Sequence, residues 1–156
     1  MRRLAPFALL PAFLIAAACS PETPAGEPAD APVAPAQELG GVDLNGGVNA
    51  LGTEPFWGVE ITPERLVYAG VDRPEQVAPN PGVRMQGTMA IWSAETDQGS
   101  SLTVQLMATE CSDGMSDRTY PLTARVEISG EVLNGCAAST DFIHNTDERG
   151  EPRQEG

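Results

Sequence analysis

The strongest constraint on the fold of this chain is a succession of short apolar runs in which every second residue is polar. "SLTVQLMA" sets Leu102, Val104 and Leu106 against Ser101, Thr103 and Gln105. "PLTARVEI" sets Leu122, Ala124, Val126 and Ile128 against Thr123, Arg125 and Glu127. Side chains alternate across a strand, so each run predicts a strand with one face in a core and the other in water. "FWGVEI" puts Trp57, Val59 and Ile61 on one face and Phe56 on the other, and "RLVYAG" puts Leu66 and Tyr68 opposite Val67. "VRMQGTMAIWSA", read as one strand, places Met85, Met89 and Ile91 against Gln86, Thr88 and Trp92, and "EVLNGCA" ends the series. Turn signals at Ala69-Gly70, Asn80-Pro81-Gly82, Asp97-Gln98-Gly99 and Ser129-Gly130 separate the runs. No segment has a long helical period. The expected fold is mainly β, a small antiparallel meander barrel or curved sheet spanning 50–142. A core of that size needs a staple.

Ahead of this domain the sequence changes character. Arg2 and Arg3 precede an apolar run from Leu4 to Ala18 that ends in small residues, the shape of a secretory signal. The run is short of the ~20 residues of a membrane-spanning helix, so residues 1–18 are read as a removed leader. Ala16-Ala17-Ala18-Cys19 resembles a bacterial lipoprotein box, with Ala16 where leucine is usual. The resemblance implies that Cys19 carries lipid, and Ser20 implies an outer-membrane lipoprotein facing the periplasm. The alternative is ordinary cleavage, leaving a soluble periplasmic protein with a free thiol at Cys19. Residues 19–49 follow, with five prolines from Pro21 to Pro35 and no aromatic. Such a stretch buries too little surface to offset its ordering entropy and is expected to be a disordered tether. Residues 143–156 are polar and expected to be a flexible tail.

With Cys19 assigned to lipid, Cys111 and Cys136 remain. An even pair in an exported domain reads as a disulfide, here tying the loop 109–119 to the last strand. Closing a loop of that length is worth ~3 kcal/mol in the chain-entropy model. Two buried free thiols are the alternative. No C-x-x-C is present to support a redox pair.

The chain has 22 acidic residues against nine basic ones, and no lysine, for a net charge of −13. Nucleic acid needs basic patches and is excluded as a partner, and anionic lipid surfaces are disfavoured. The balance favours a cationic protein or metal cations, and it also serves plain solubility.

The loop "CSDGMSDRTYP" is the densest cluster of polar chemistry. Asp113, Gly114 and Asp117 echo a calcium loop, but such loops need six or more oxygens, and Arg118 competes for Asp117 as a salt-bridge partner. The structural reading is an Asp113-Gly114 turn, with Ser116 or Asp117 capping a short helical turn. Ser112 and Ser116 lack a base, because the single histidine, His144, stands in the tail. Glu54 and Glu60 as a carboxylate pair carry little weight in so acidic a chain. The reading contains no catalytic residue, no metal and no cofactor. In "TEPFW", Trp57 shares its parity with the core, leaving Glu54 and Phe56 at the surface. Arg118 and Tyr120 join them if the stapled loop folds over the same end. The candidate binding surface is therefore Glu54, Phe56, Asp113, Arg118 and Tyr120.

"LGTEPFWGVEI" at 51–61, "CSDGMSDRTYP" at 111–121 and "LNGCA" at 133–137 occur together in this order. The set resembles a family of uncharacterised bacterial envelope lipoproteins with EPFW, C-x-DGMS and late GC motifs. Their setting is similar to that of small lipoprotein β-domains such as c-type lysozyme inhibitors and META-type domains. The resemblance implies an envelope location and carries no activity. The functional expectation is a non-enzymatic binding module for a cationic envelope protein or a small ligand. The alternatives are a structural or stress-related envelope component and a weak hydrolase of envelope polymer.

Overall fold

The computed structural model describes residues 37–153. Cys19, the leader and the stretch up to residue 36 lie outside them. The elements are β1 (Glu38–Leu39), β2 (Val42–Asp43), β3 (Val48–Thr53), β4 (Phe56–Ile61), β5 (Arg65–Gly70), β6 (Gln76–Pro79), β7 (Arg84–Gln86), β8 (Met89–Glu95), β9 (Ser101–Met107), β10 (Cys111–Ser112), β11 (Thr119–Tyr120), β12 (Leu122–Ile128), β13 (Glu131–Ser139) and α1 (Thr140–Asn145). Nine strands form one antiparallel sheet in the order β6-β5-β4-β3-β13-β12-β9-β8-β7, curled into a half-barrel. The expected mainly β fold with one disulfide is the fold observed.

The sheet is two meanders joined by β13 pairing back onto β3, with Cys136 opposite Leu51 and Ser139 opposite Val48. Alternation sets the inner face. Trp57, Val59 and Ile61 meet Leu66, Tyr68, Leu102, Val104, Leu106, Leu122, Ala124, Val126 and Ile128 in one buried cluster. Each fully buried Val, Leu or Ile side chain there contributes roughly 1.5–3 kcal/mol of transfer free energy. Beyond β5, Arg73 lies 5.7 Å from the Tyr68 ring centroid and pairs with Asp72 and with Glu131 at the start of β13. At one seam β6 is pinned to the β8–β9 turn, where the Asp97 N–H donates to the Val77 carbonyl at 2.7 Å.

Three expectations need correction. First, "VRMQGTMAIWSA" is a hairpin and not one strand. β7 and β8 pair across Gly87, whose φ of 59° is the left-handed region open to glycine. The turn resets the parity, so Ala90 and Trp92 point into the core while Met89 and Ile91 take the other face and Met85 stands exposed at the sheet edge. Second, the domain already includes Glu38–Leu44, ahead of the expected start at residue 50. Leu39, Val42 and Leu44 are buried in the main core, because the β1–β2 hairpin folds Gly40 against Leu122 and covers that end. Third, the tail expected to be flexible from residue 143 is docked as far as residue 153. Ser139 Oγ caps α1 by accepting the Phe142 N–H at 3.1 Å, and Thr146 bridges to Pro152.

β9 and β12 are direct neighbours, with Thr123 opposite Met107. Everything between them, including the β10–β11 hairpin, must leave the sheet and return. This excursion folds onto the outer face of β13 and β3. A second, smaller core forms there from Tyr120, Cys136 and Ala138 with Leu51, Cys111, Phe142 and Ile143.

Candidate functional site

The three sequence motifs converge at this excursion. Cys111 is bonded to Cys136 across a separation of 25 residues, which fastens the hairpin to β13. On the opposite face of the sheet the Trp57 indole lies over two glycines. A Cβ on Gly52 would strike Trp57 Nε1, and one on Gly135 would collide with the Leu51 carbonyl and stand 2.9 Å from Trp57 Cζ2. The late Gly-Cys pair thus has two separate jobs, close approach at Gly135 and the staple at Cys136. Trp57 Nε1 itself is buried without a hydrogen-bond partner among the described residues.

Asp113 organises the hairpin. Its Oδ1 accepts the N–H groups of Met115 at 2.9 Å and Ser116 at 2.8 Å. Its Oδ2 accepts the hydroxyls of Ser116 at 2.8 Å and Tyr120 at 2.9 Å. Partial burial raises the carboxyl pKa, but these four donors outweigh it and hold Asp113 at about 2. Burial, together with the hydrogen bond to Asp113, pushes the Tyr120 phenol up. Thr53 Oγ1 on β3 donates to the Asp113 carbonyl at 3.2 Å, which joins the "EPFW" turn to the hairpin. The expected Asp-Gly turn is present, with Gly114 at φ 73°. The cap is Asp113 itself, and no helical turn forms there.

Arg118 does not pair with Asp117. Its Nε donates to the Asp147 carbonyl at 3.0 Å, and one Nη to the carbonyls of Thr146 at 2.9 Å and Asp147 at 2.7 Å. The guanidinium lies 5.7 Å from the Tyr120 ring centroid and 5.9 Å from that of Phe142. This clamp is what docks the tail. Asp147 in turn accepts the N–H groups of Arg149 and Glu151, which hold its carboxyl below the ordinary range.

The structure brings four of the five candidate residues together. Phe56, Asp113, Arg118 and Tyr120 line one groove of about 310 Å³ with Thr53 and Glu148. Glu54 opens instead onto a neighbouring groove of about 350 Å³ that shares Thr53 and Asp113. Exposure sorts them. Phe56 is 53 % exposed, whereas Arg118 and Tyr120 are 8 % and 2 % exposed and belong to the wall. The expected surface therefore reduces to Phe56 and Glu54 beside a fixed polar wall. The residue the sequence reading missed is Met115, 69 % exposed and lining the same groove as Phe56.

No family model, curated protein or solved structure matches the chain.

The serine–histidine grouping is not assembled among the described residues. Ser116 Oγ is engaged with Asp113, and no hydrogen bond links Ser112 or Ser116 to His144, which is exposed on α1. No three His, Cys, Asp or Glu side chains among the described residues stand together as metal ligands. No helix among them is long and apolar enough to cross a membrane.

Proposed function

We propose that the protein is an outer-membrane lipoprotein of the bacterial envelope, anchored through lipid on Cys19, whose β-domain is a non-enzymatic binding module. The observation that supports this most is that two exposed apolar side chains, Phe56 and Met115, line one groove beside a wall held by structural bonds. The disulfide, the four bonds to Asp113 and the Arg118 clamp hold that wall while contributing nothing to the main core. Apolar side chains held out on a preorganised frame bind at low ordering cost. Arg118 and Tyr120 are buried and both carboxylate oxygens of Asp113 are engaged in structural bonds, so these residues position the site. The residues that contact the partner are Phe56, Met115 and the acids beside them.

The test is a photo-crosslinking residue placed at position 56 or 115 in the full chain in living cells. Discrete adducts at both positions and none at Gln86, on the exposed edge strand β7, are expected. Equal labelling at all three, or none at 56 and 115, would sink the binding reading. In the same cells, radioactive fatty acid is expected to label the wild type and not Cys19→Ser.

A further inference from the structure

The outer face of β3, β4 and β5 continues past this groove. By register, Thr53 lies beside Phe56, Leu51 beside Gly58 and Ala69, and Asn49 beside Glu60 and Val67. The first row lines the Phe56 groove. The next two line a groove of about 280 Å³ walled by Ile143 of α1. The two grooves share no lining residue, but their rows are consecutive on one face of the same strands, which sets them end to end along one track. Strands rise about 3.3 Å per residue, so the track from Phe56 to Glu60 is roughly 13 Å long, the reach of about four extended residues.

The apolar part of the floor, Phe56, Leu51, Ala69 and Val67, dips at Gly58, where an added Cβ would find only the Ala50 carbonyl, at 3.7 Å. The borders are acidic. Glu54 stands near one end, Glu148 on the hairpin side, and Glu60 and Glu75 along the far groove. None of these four is in an ion pair among the described residues. Unpaired carboxylates around a shallow apolar floor concentrate cations and repel anions.

Building on the binding reading above, we propose that this track takes an extended segment of a partner protein in which arginine or lysine alternates with apolar residues. In an extended segment alternate side chains share a face, so the apolar ones settle on the floor from Phe56 to Val67. The long cationic side chains bend outward to the acidic rims. The same charge argues against three other occupants. The chain's own proline-rich stretch carries Glu22, Glu27 and Asp30, a second copy carries the net charge of −13, and anionic lipid is repelled likewise.

The experiment presents a displayed library of random seven-residue peptides to the full chain immobilised through its N-terminal segment. Selected peptides are expected to be cationic, with apolar residues at alternate positions. A synthetic copy is expected to bind at least tenfold more weakly to Gly58→Val and to the double variant Glu60→Lys/Glu75→Lys, with unfolding midpoints unchanged. Gly58→Val suits a strand, and the second variant changes only exposed residues, so a folding defect in one leaves the other to decide. Recovery of neutral or acidic peptides, or of none, overturns the proposal. So does binding that neither variant weakens. If Phe56→Ala abolishes binding and neither track variant does, the groove reading stands and the track fails. If all three leave binding unchanged, both fail.

Discussion

The two faces of β3 and β4 are held by different physics. The inner face is a continuous apolar surface in which Ala50, Trp57, Val59 and Ile61 are buried against the rest of the half-barrel. The outer face has a small apolar cluster, one covalent bond and a chain of polar contacts running from Thr53 through Asp113 and Tyr120 to Arg118 and the tail. Stability on the inside is spread over many side chains. On the outside it is concentrated in a few named groups, so the two can be disturbed separately. Evolution of a binding surface is easiest on the face the core does not depend on.

The largest expected effect tests that separation. Leu106→Ala, fully buried on the inner face, should cost about 2–5 kcal/mol in urea unfolding. Phe56→Ala on the outer face should stay within about 0.5 kcal/mol of the wild type, because its side chain is already half in water. Similar losses in the two variants would break the contrast.

The next effect is at Asp113. Asp113→Asn leaves Ser116 and Tyr120 facing a neutral amide, and should cost about 2 kcal/mol at pH 5. The pH dependence follows from the depressed pKa. An unfolded aspartate titrates near 3.9, and the folded Asp113 at about 2. Its contribution is therefore fully present above roughly pH 4 and lost as the pH falls through about 2. Urea midpoints at pH 5 and 2.5 should show the gap between wild type and Asp113→Asn narrowing on acidification. A constant gap would remove the carboxylate from the account.

A smaller global effect is expected for Arg118→Lys. Lysine keeps the charge but cannot present a planar fork to two carbonyls. The unfolding free energy should fall by about 1 kcal/mol. Proteolysis within 146–153 should accelerate well beyond what that loss explains. A tail that stays resistant would show that α1 docks it without the clamp.

Much of the fold was legible because a one-sided strand cannot shift by a residue without turning its apolar set into water. That logic held for β4, β5, β9 and β12. It failed at 84–95, where Gly87 turns the chain and reverses parity inside what reads as one run. It failed again at 38–49, where Leu39, Val42 and Leu44 are too sparse among glycines to announce a core hairpin. The staple was legible from cysteine pairing alone. The role of Arg118 was not, because its acceptors are backbone carbonyls 28 and 29 residues away, and no side-chain pattern marks a carbonyl as a partner. Asp117, adjacent in sequence, was the obvious and wrong counterion. Gly135 stood out as part of a motif, but its reason, the Leu51 carbonyl on neighbouring β3 with the Trp57 ring reaching over from β4, needed the register.

The central claim is that the outer cover is a separable layer fastened by the Cys111–Cys136 bond. The most direct measurement is residue-resolved hydrogen exchange on the full chain, oxidised and reduced. Loop closure of this size is worth ~3 kcal/mol, so reduction should be felt first where the bond acts. Amides of 111–120 and 146–151 should approach unprotected rates on reduction while those of β9 and β12 remain protected. Loss of protection in β9 and β12 together with the hairpin, or a hairpin that stays protected without its disulfide, would contradict it.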